Sequence, residues 1–75
     1  MNKEVKDLIL ENRFTYHKPI GNQPKRYVQI RSAGFEFVKV IDKCCPESRE
    51  KSLAVTKIEE AIMWANASIA RNEKE

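Results

Sequence analysis

Hydrophobic residues recur at helical spacing in three segments of the chain, and residues typical of loops separate these segments. The first segment is the shortest. Its apolar residues Val5, Leu8 and Ile9 are three and four positions apart, which places them on one helix face. Asn2 precedes the pattern and can cap the helix. We therefore expect an amphipathic helix over residues 3–12, which would be only marginally stable alone.

A loop and a long second helix follow. Pro19 and Gly21 are typical of a loop, because proline disfavours helix at the residue before it. Pro24 suits the first turn of a helix, where its missing amide proton is not needed, and apolar residues recur at helical spacing after it. The pattern predicts a helix over residues 23–44. Gly34 lies in its middle, where glycine costs about 1 kcal/mol relative to alanine, so we expect another backbone to approach closely there.

The third predicted helix covers residues 47–72 and carries the widest apolar surface. Pro46 suits the start of a helix, and Glu47 and Glu50 in the first turn would interact favourably with the helix dipole. The apolar surface exceeds the ~100° that a helix usually buries against one neighbour, so we expect this helix to pack on two sides. Its main row comprises Ala54, Ile58, Ala61, Ile62, Ala65 and Ile69.

A chain of 75 residues is expected to form a single domain, residues 1–75, with a thin core. At about 25 cal/mol per Å² of buried apolar surface, against about 1.5 kcal/mol of entropy per ordered residue, a lone protomer has a folding free energy near zero. Cys44 and Cys45 are adjacent and poorly placed for a disulfide, and His17 is the only histidine, so no zinc set is expected. Oligomerisation is the remaining source of the stability that a lone protomer lacks. The prediction is an all-α homo-oligomer without metal or cofactor, whose two longer helices are antiparallel.

The charge pattern changes this picture more than the net charge of +3 does. Between Arg13 and Arg31 the chain has five basic residues and no acidic residue, whereas acids and bases alternate elsewhere. This stretch is predicted to face an anion. The N-terminus lacks the apolar run of a signal peptide, and no stretch approaches the ~20 apolar residues of a membrane span. We expect a cytoplasmic protein with reduced thiols and no membrane partner.

The same stretch mixes aromatic rings, amides and cations. Such rings stack on nucleotide bases, and the planar fork of arginine holds phosphate. Ordinary solvated surface is the competing interpretation for the loop, and packing is the favoured interpretation for Tyr27. His17 has no acid near it in sequence to orient it as a general base, and the chain lacks nucleophile motifs, phosphate loops and paired carboxylates. The pattern favours a binding protein over an enzyme.

Three motifs resemble one family: Tyr16-His17-Lys18-Pro19, Cys45-Pro46-Glu47-Ser48-Arg49-Glu50, and the closing run from Met63 to Asn72. They are similar to those of phage anti-CBASS sponges, which sequester the cyclic oligonucleotides of bacterial CD-NTase alarms. The resemblance implies a hexamer that binds cyclic dinucleotides such as cyclic GMP-AMP between paired protomers and, in some members, cyclic trinucleotides in separate pockets.

The resemblance also implies roles for individual residues. Tyr16 would stack on a base, Arg31 would hold phosphate, and Arg71 would belong to the trinucleotide pocket. The full set of predicted ligand-binding residues is Tyr16, His17, Pro19, Gln23, Arg26, Arg31 and Arg71. If the chain is phage-encoded, it would act in the cytoplasm of the host cell.

Two other functions remain open at this point. The basic segment and its aromatic rings could serve a DNA or RNA backbone, although no long recognition helix carries a basic stripe. Alternatively, the apolar helical face could block a host protein.

Overall fold

The structure, a computed structural model, describes residues 2–73 as three α-helices. Helix α1 covers Lys3–Phe14, α2 covers Gln23–Cys44 and α3 covers Arg49–Asn72. No strand occurs in this range, and none of its helices is long and apolar enough to cross a membrane. The all-α prediction of a short first helix and two longer ones is confirmed.

Helix α1 begins as predicted but ends later. The side-chain oxygen of Asn2 accepts a hydrogen bond from the backbone N–H of Val5 at 2.9 Å, which confirms the predicted cap. The helix continues to Phe14, two residues beyond the predicted end. Phe14 is 84% exposed, so it extends the helix without contributing to the apolar face from which the boundary was inferred.

Helices α2 and α3 form an antiparallel hairpin. Gln23 at the start of α2 bonds to the backbone of Ile69 near the end of α3, whereas Asp42 near the end of α2 pairs with Lys51 at the start of α3. The bounds of α2 match the prediction. Helix α3 starts at Arg49 rather than at residue 47, because Ser48 supplies the cap: its Oγ accepts from the N–H of Lys51 at 3.1 Å. Pro46 and Glu47 therefore lie in the connecting turn.

Gly34 marks a close approach between the two helices of the hairpin. A Cβ atom at this position would lie 2.2 Å from the Cδ1 atom of Ile62. The expected close approach is present, but the partner is a side chain rather than a backbone. Any larger residue at this position would have to displace the end of the Ile62 side chain.

No hydrophobic side chain is buried among residues 2–73 of the protomer. In residues 2–73 the only buried side chain is the polar Gln23, at 3% exposure. The radius of gyration is 16.3 Å, against about 11 Å for a compact domain of this length. The accessible surface is 6394 Å², against roughly 4700 Å² for a folded monomer of this mass. Large apolar side chains thus stay exposed, among them Leu8, Phe14, Phe35, Phe37, Met63 and Trp64.

Candidate functional site

A concavity of about 380 Å³ lies where the end of α1, the segment after it, the first half of α2 and the end of α3 meet. Its lining contains three arginines, two tyrosines and a histidine, and no carboxylate. Such a surface is suited to a ligand that carries both negative charge and flat rings. The lining residues are Arg13, Thr15, Tyr16, His17, Tyr27, Arg31, Asn66, Ala67, Ala70 and Arg71.

The two helices of the hairpin supply the fixed part of this concavity. Tyr27 and Arg31 are four residues apart on α2 and therefore lie on the same helix face. On α3 the small side chains of Ala67 and Ala70 leave room between the larger residues. These two alanines therefore make part of the space of the site.

The segment after α1 presents Tyr16, whose side chain is 80% exposed. This segment is anchored on both sides of the tyrosine. The Nε2 atom of His17 lies 2.7 Å from the backbone carbonyl of Asn12, and the backbone N–H of Ile20 donates to Oε1 of Gln23 at 3.0 Å. The ring is thus open to solvent while the backbone that carries it is held.

Arg71 lies on the border of two concavities. It lines the one that contains Tyr16 and Arg31, and also a second one of about 640 Å³ along the apolar face of α1. The side-chain amide of Asn12 donates to the carbonyl of Arg71 at 2.9 Å, and Nη2 of Arg71 reaches the carbonyl of Arg13 at 3.4 Å. These bonds tie the ends of α1 and α3 together. Arg71 as a residue of a separate trinucleotide pocket stays a prediction.

Gln23 has a different environment from the lining residues. Its Oε1 accepts from the N–H of Ile20 at 3.0 Å and from the hydroxyl of Tyr27 at 3.4 Å. Its Nε2 donates to Oε1 of Glu73 at 3.0 Å. The buried amide is thus hydrogen-bonded at both ends within the protomer. Its predicted contact with ligand stays a prediction.

Arg26 is paired with the carboxylate of Glu73. Its Nη1 donates to Oε2 at 2.8 Å and its Nη2 donates to Oε1, so the pair is bidentate, while its Nε donates to Oδ1 of Asn22 at 3.0 Å. The hydrogen bonds from Arg26 and Gln23 lower the pKa of Glu73 to about 2, and the bonds to Glu73 raise the pKa of Arg26 above its usual value. Neither Arg26 nor Pro19 lines the concavity of Tyr16, and their predicted ligand contacts are likewise untested.

The structure adds lining residues that were not among the predicted ligand contacts. Arg13 and Thr15 flank Tyr16, and Tyr27, which was assigned to packing, is half-buried and lines the concavity as well. Asn66 is the least expected member. Its Oδ1 is buried and has no hydrogen-bond partner among residues 2–73, so an acceptor is left for a donor from elsewhere. Its position one helical turn before Ala70, within the closing motif, could have indicated it.

A metal site is not formed in the described part of the chain. No group of three or more histidine, cysteine, aspartate or glutamate side chains in residues 2–73 is arranged to hold a metal ion.

A family model described as the Acb2/Tad1 hairpin domain matches residues 6–70. The chain belongs to the Acb2/Tad1 family, the anti-CBASS sponges. This confirms the resemblance drawn from the three motifs. The matched range includes all of α2, most of α1 and α3, and every lining residue of the concavity except Arg71. Comparisons with curated proteins and with solved structures gave no significant match.

Proposed function

We propose that this Acb2/Tad1 hairpin protein is a non-catalytic sponge that binds cyclic dinucleotides such as cyclic GMP-AMP. By sequestering them it would inhibit the CBASS immunity of the host. The observation that carries the proposal is the concavity around Tyr16, which joins arginines and tyrosine rings from three helices and one loop without a carboxylate. Family membership supports a nucleotide-sequestering role.

The lining offers a partner for each part of a cyclic dinucleotide. The exposed ring of Tyr16 can stack on a base, an interaction worth about 1–3 kcal/mol. Arg31 makes no ion pair with any of residues 2–73, so its guanidinium is available for phosphate. The buried Oδ1 of Asn66 can accept a hydrogen bond from a base N–H group.

The same lining does not favour chemistry on the ligand. A general base needs an orienting partner on one nitrogen and a reacting proton near the other. The contact of His17 is with a backbone carbonyl rather than a carboxylate, and no carboxylate lines the concavity to act as a second acid or base. The bound ligand is therefore expected to be released intact.

Self-association completes the proposal. A groove of about 480 Å³ between α2 and α3 has an apolar lining that includes Phe35, Val38 and Met63. Arg31 and Asn66 line both this groove and the concavity of Tyr16. A second protomer seated on the groove would supply the burial that a lone protomer lacks and would lie beside the ligand. The assembly we propose is the homohexamer that the resemblance implies.

The concavity beside α1 is the candidate site for cyclic trinucleotides. It is larger, at about 640 Å³, and Arg71 and His17 lie on its border with the first concavity. Its apolar wall consists of Val5, Leu8 and Ile9. A trinucleotide that uses Arg71 would then compete with, or couple to, a dinucleotide held at Tyr16.

Calorimetric titration of the full chain tests the function. The ligands are cyclic GMP-AMP, cyclic triadenylate, their linear analogues and a short DNA duplex, and native mass spectrometry measures the oligomer in parallel. We expect saturable binding of a cyclic ligand at fixed oligomer size, with intact ligand recovered on heating. Binding of the duplex alone would instead indicate a nucleic-acid-binding protein. Failure to bind any of these ligands would leave the blocking of a host protein as the alternative.

A further inference from the structure

His17 lines both concavities, the one with Tyr16 and the one along α1. Its Nε2 lies 2.7 Å from the backbone carbonyl of Asn12. A carbonyl oxygen can only accept, so Nε2 must carry its proton whether the ring is neutral or charged. The Nδ1 atom is therefore the nitrogen that gains or loses a proton, and it has no hydrogen-bond partner within residues 2–73.

The charged groups that line the two concavities with His17 come from all three helices. Helix α1 contributes Arg13 and Glu11, α2 contributes Arg31, and α3 contributes Arg71, while Tyr16 and Tyr27 are the titratable neutral neighbours. Three guanidinium groups and one carboxylate thus line the two concavities together with His17. A phosphate group of a bound ligand would attract a charged imidazolium.

We propose that ligand binding at this site is coupled to the uptake of one proton by His17, which then serves as a phosphate-binding cation. A solvent proton adds to the Nδ1 lone pair, the Nδ1–H group donates to a phosphate oxygen, and no other bond changes. The proposal rests on the proposed function, since it requires an anionic ligand between Tyr16 and Arg71. Protonated His17 would be a fourth cation beside Arg13, Arg31 and Arg71. The formal net charge of +3 does not include it, because that value counts histidine as neutral.

The consequence is an affinity that depends on pH near neutrality. The ligand-bound state holds more protons than the free state, so binding tightens as pH falls, by at most about tenfold per pH unit for one proton. Phosphodiesters remain ionised throughout this range. Histidine is the side chain whose charge ordinarily changes between pH 5 and 8, and this chain has only one. Between pH 8 and pH 6 we expect the Kd to fall about three- to tenfold.

The test is calorimetry of the full chain with cyclic GMP-AMP and, separately, with cyclic triadenylate, at pH 7 in MOPS and in Tris, since neither buffer contains phosphate. These buffers differ in ionisation enthalpy, so the difference in apparent binding enthalpy gives the number of protons taken up. The variant His17→Gln provides the control. Its amide can still donate to the carbonyl of Asn12, but it does not titrate.

The supporting result is net proton uptake by the natural chain that disappears in His17→Gln, together with loss of the pH dependence. Equal enthalpies in both buffers, despite tight binding, would overturn the proton coupling and leave the sponge function intact. If neither ligand bound at any pH, both proposals would fail. Should His17→Gln not fold, the natural chain still decides the question: the single imidazole resonance in NMR must stay protonated to higher pH with ligand than without it.

Discussion

Two basic regions on α2, one at Arg26 and one at Arg31, behave differently. Arg26 is held by Glu73 in a bidentate pair and by Asn22. Arg31 makes no ion pair among residues 2–73 and lines the concavity of Tyr16. Both residues were predicted to contact ligand from the same acid-free stretch of sequence. From this difference we infer that an arginine is free to bind an anion only when its charge is not already paired with a carboxylate of the protomer.

The largest expected effect is on ligand affinity and distinguishes these two arginines. Arg31→Ala should weaken cyclic dinucleotide binding by about 1.5–3 kcal/mol, because a charge-assisted hydrogen bond to phosphate is lost, and should reduce the salt dependence of affinity. Arg26→Ala is the matched control and should change the Kd by less than about twofold, since its charge is already paired. Titration calorimetry at two salt concentrations measures both. Equal losses for the two variants would contradict the contrast.

Tyr16→Ala should have a similar or slightly smaller effect. Loss of a stacking ring costs about 1–3 kcal/mol and depends little on salt. Tyr16→Phe keeps the ring and serves as the control, so it should bind nearly as well as the natural chain. The oligomer should stay intact in both variants, because this side chain is exposed at 80% in the protomer. Sedimentation together with fluorescence titration would show whether a loss of binding merely follows from disassembly.

Gln23→Ala acts on the other region, where stability rather than ligand affinity should suffer most. The substitution leaves the N–H of Ile20 and the hydroxyl of Tyr27 without their acceptor, which should cost about 1–3 kcal/mol. The exposed Gln29 on the same helix provides a matched control, and Gln29→Ala should be within about 0.5 kcal/mol of the natural chain. Urea unfolding at fixed protein concentration compares them. A silent Gln23→Ala would mean that this amide does not anchor the segment of Tyr16.

The smallest expected effect is the pH dependence of stability contributed by Glu73. Its pKa in the folded state is lowered to about 2 by Arg26 and Gln23, so the unfolded state binds the proton more readily. The stabilisation is therefore fully present above the ordinary glutamate pKa and is lost as pH falls from there toward 2. Thermal unfolding between pH 5 and pH 2 should show a smaller decrease in Glu73→Gln than in the natural chain. An identical pH profile for the two proteins would argue against this ion pair.

Local patterns were sufficient for most of the fold. The bounds of α2 follow from Pro24 and from the apolar spacing, and Asn2 was recognisable as a cap. The start of α3 was less certain, because Pro46 and Ser48 both suit the beginning of a helix. The hydrogen bond of Ser48 decides between them in the structure. Residue type alone does not decide which of two residues so close together begins the helix.

The site was harder to predict, because its distinguishing contacts join distant parts of the chain. Glu73 lies 47 residues after Arg26 and pairs with this one arginine of a stretch that has no acid of its own. The role of Gln23 is equally long-range, since one partner lies 50 residues away. Tyr16 and Arg31 could be chosen from the motif resemblance, whereas the only local signal for Asn66 was its place in the closing motif, one helical turn before Ala70.

The geometry of the hairpin separates its two ends. Cys44 and Cys45 are free and exposed at the turn between α2 and α3. Gln23 and the segment of Tyr16 lie at the opposite end, and a helix of 22 residues spans about 33 Å. A dye or a surface linker attached through either thiol would therefore be far from the concavity. A label on a thiol at one end of the hairpin would therefore leave the concavity at the other end accessible to solvent.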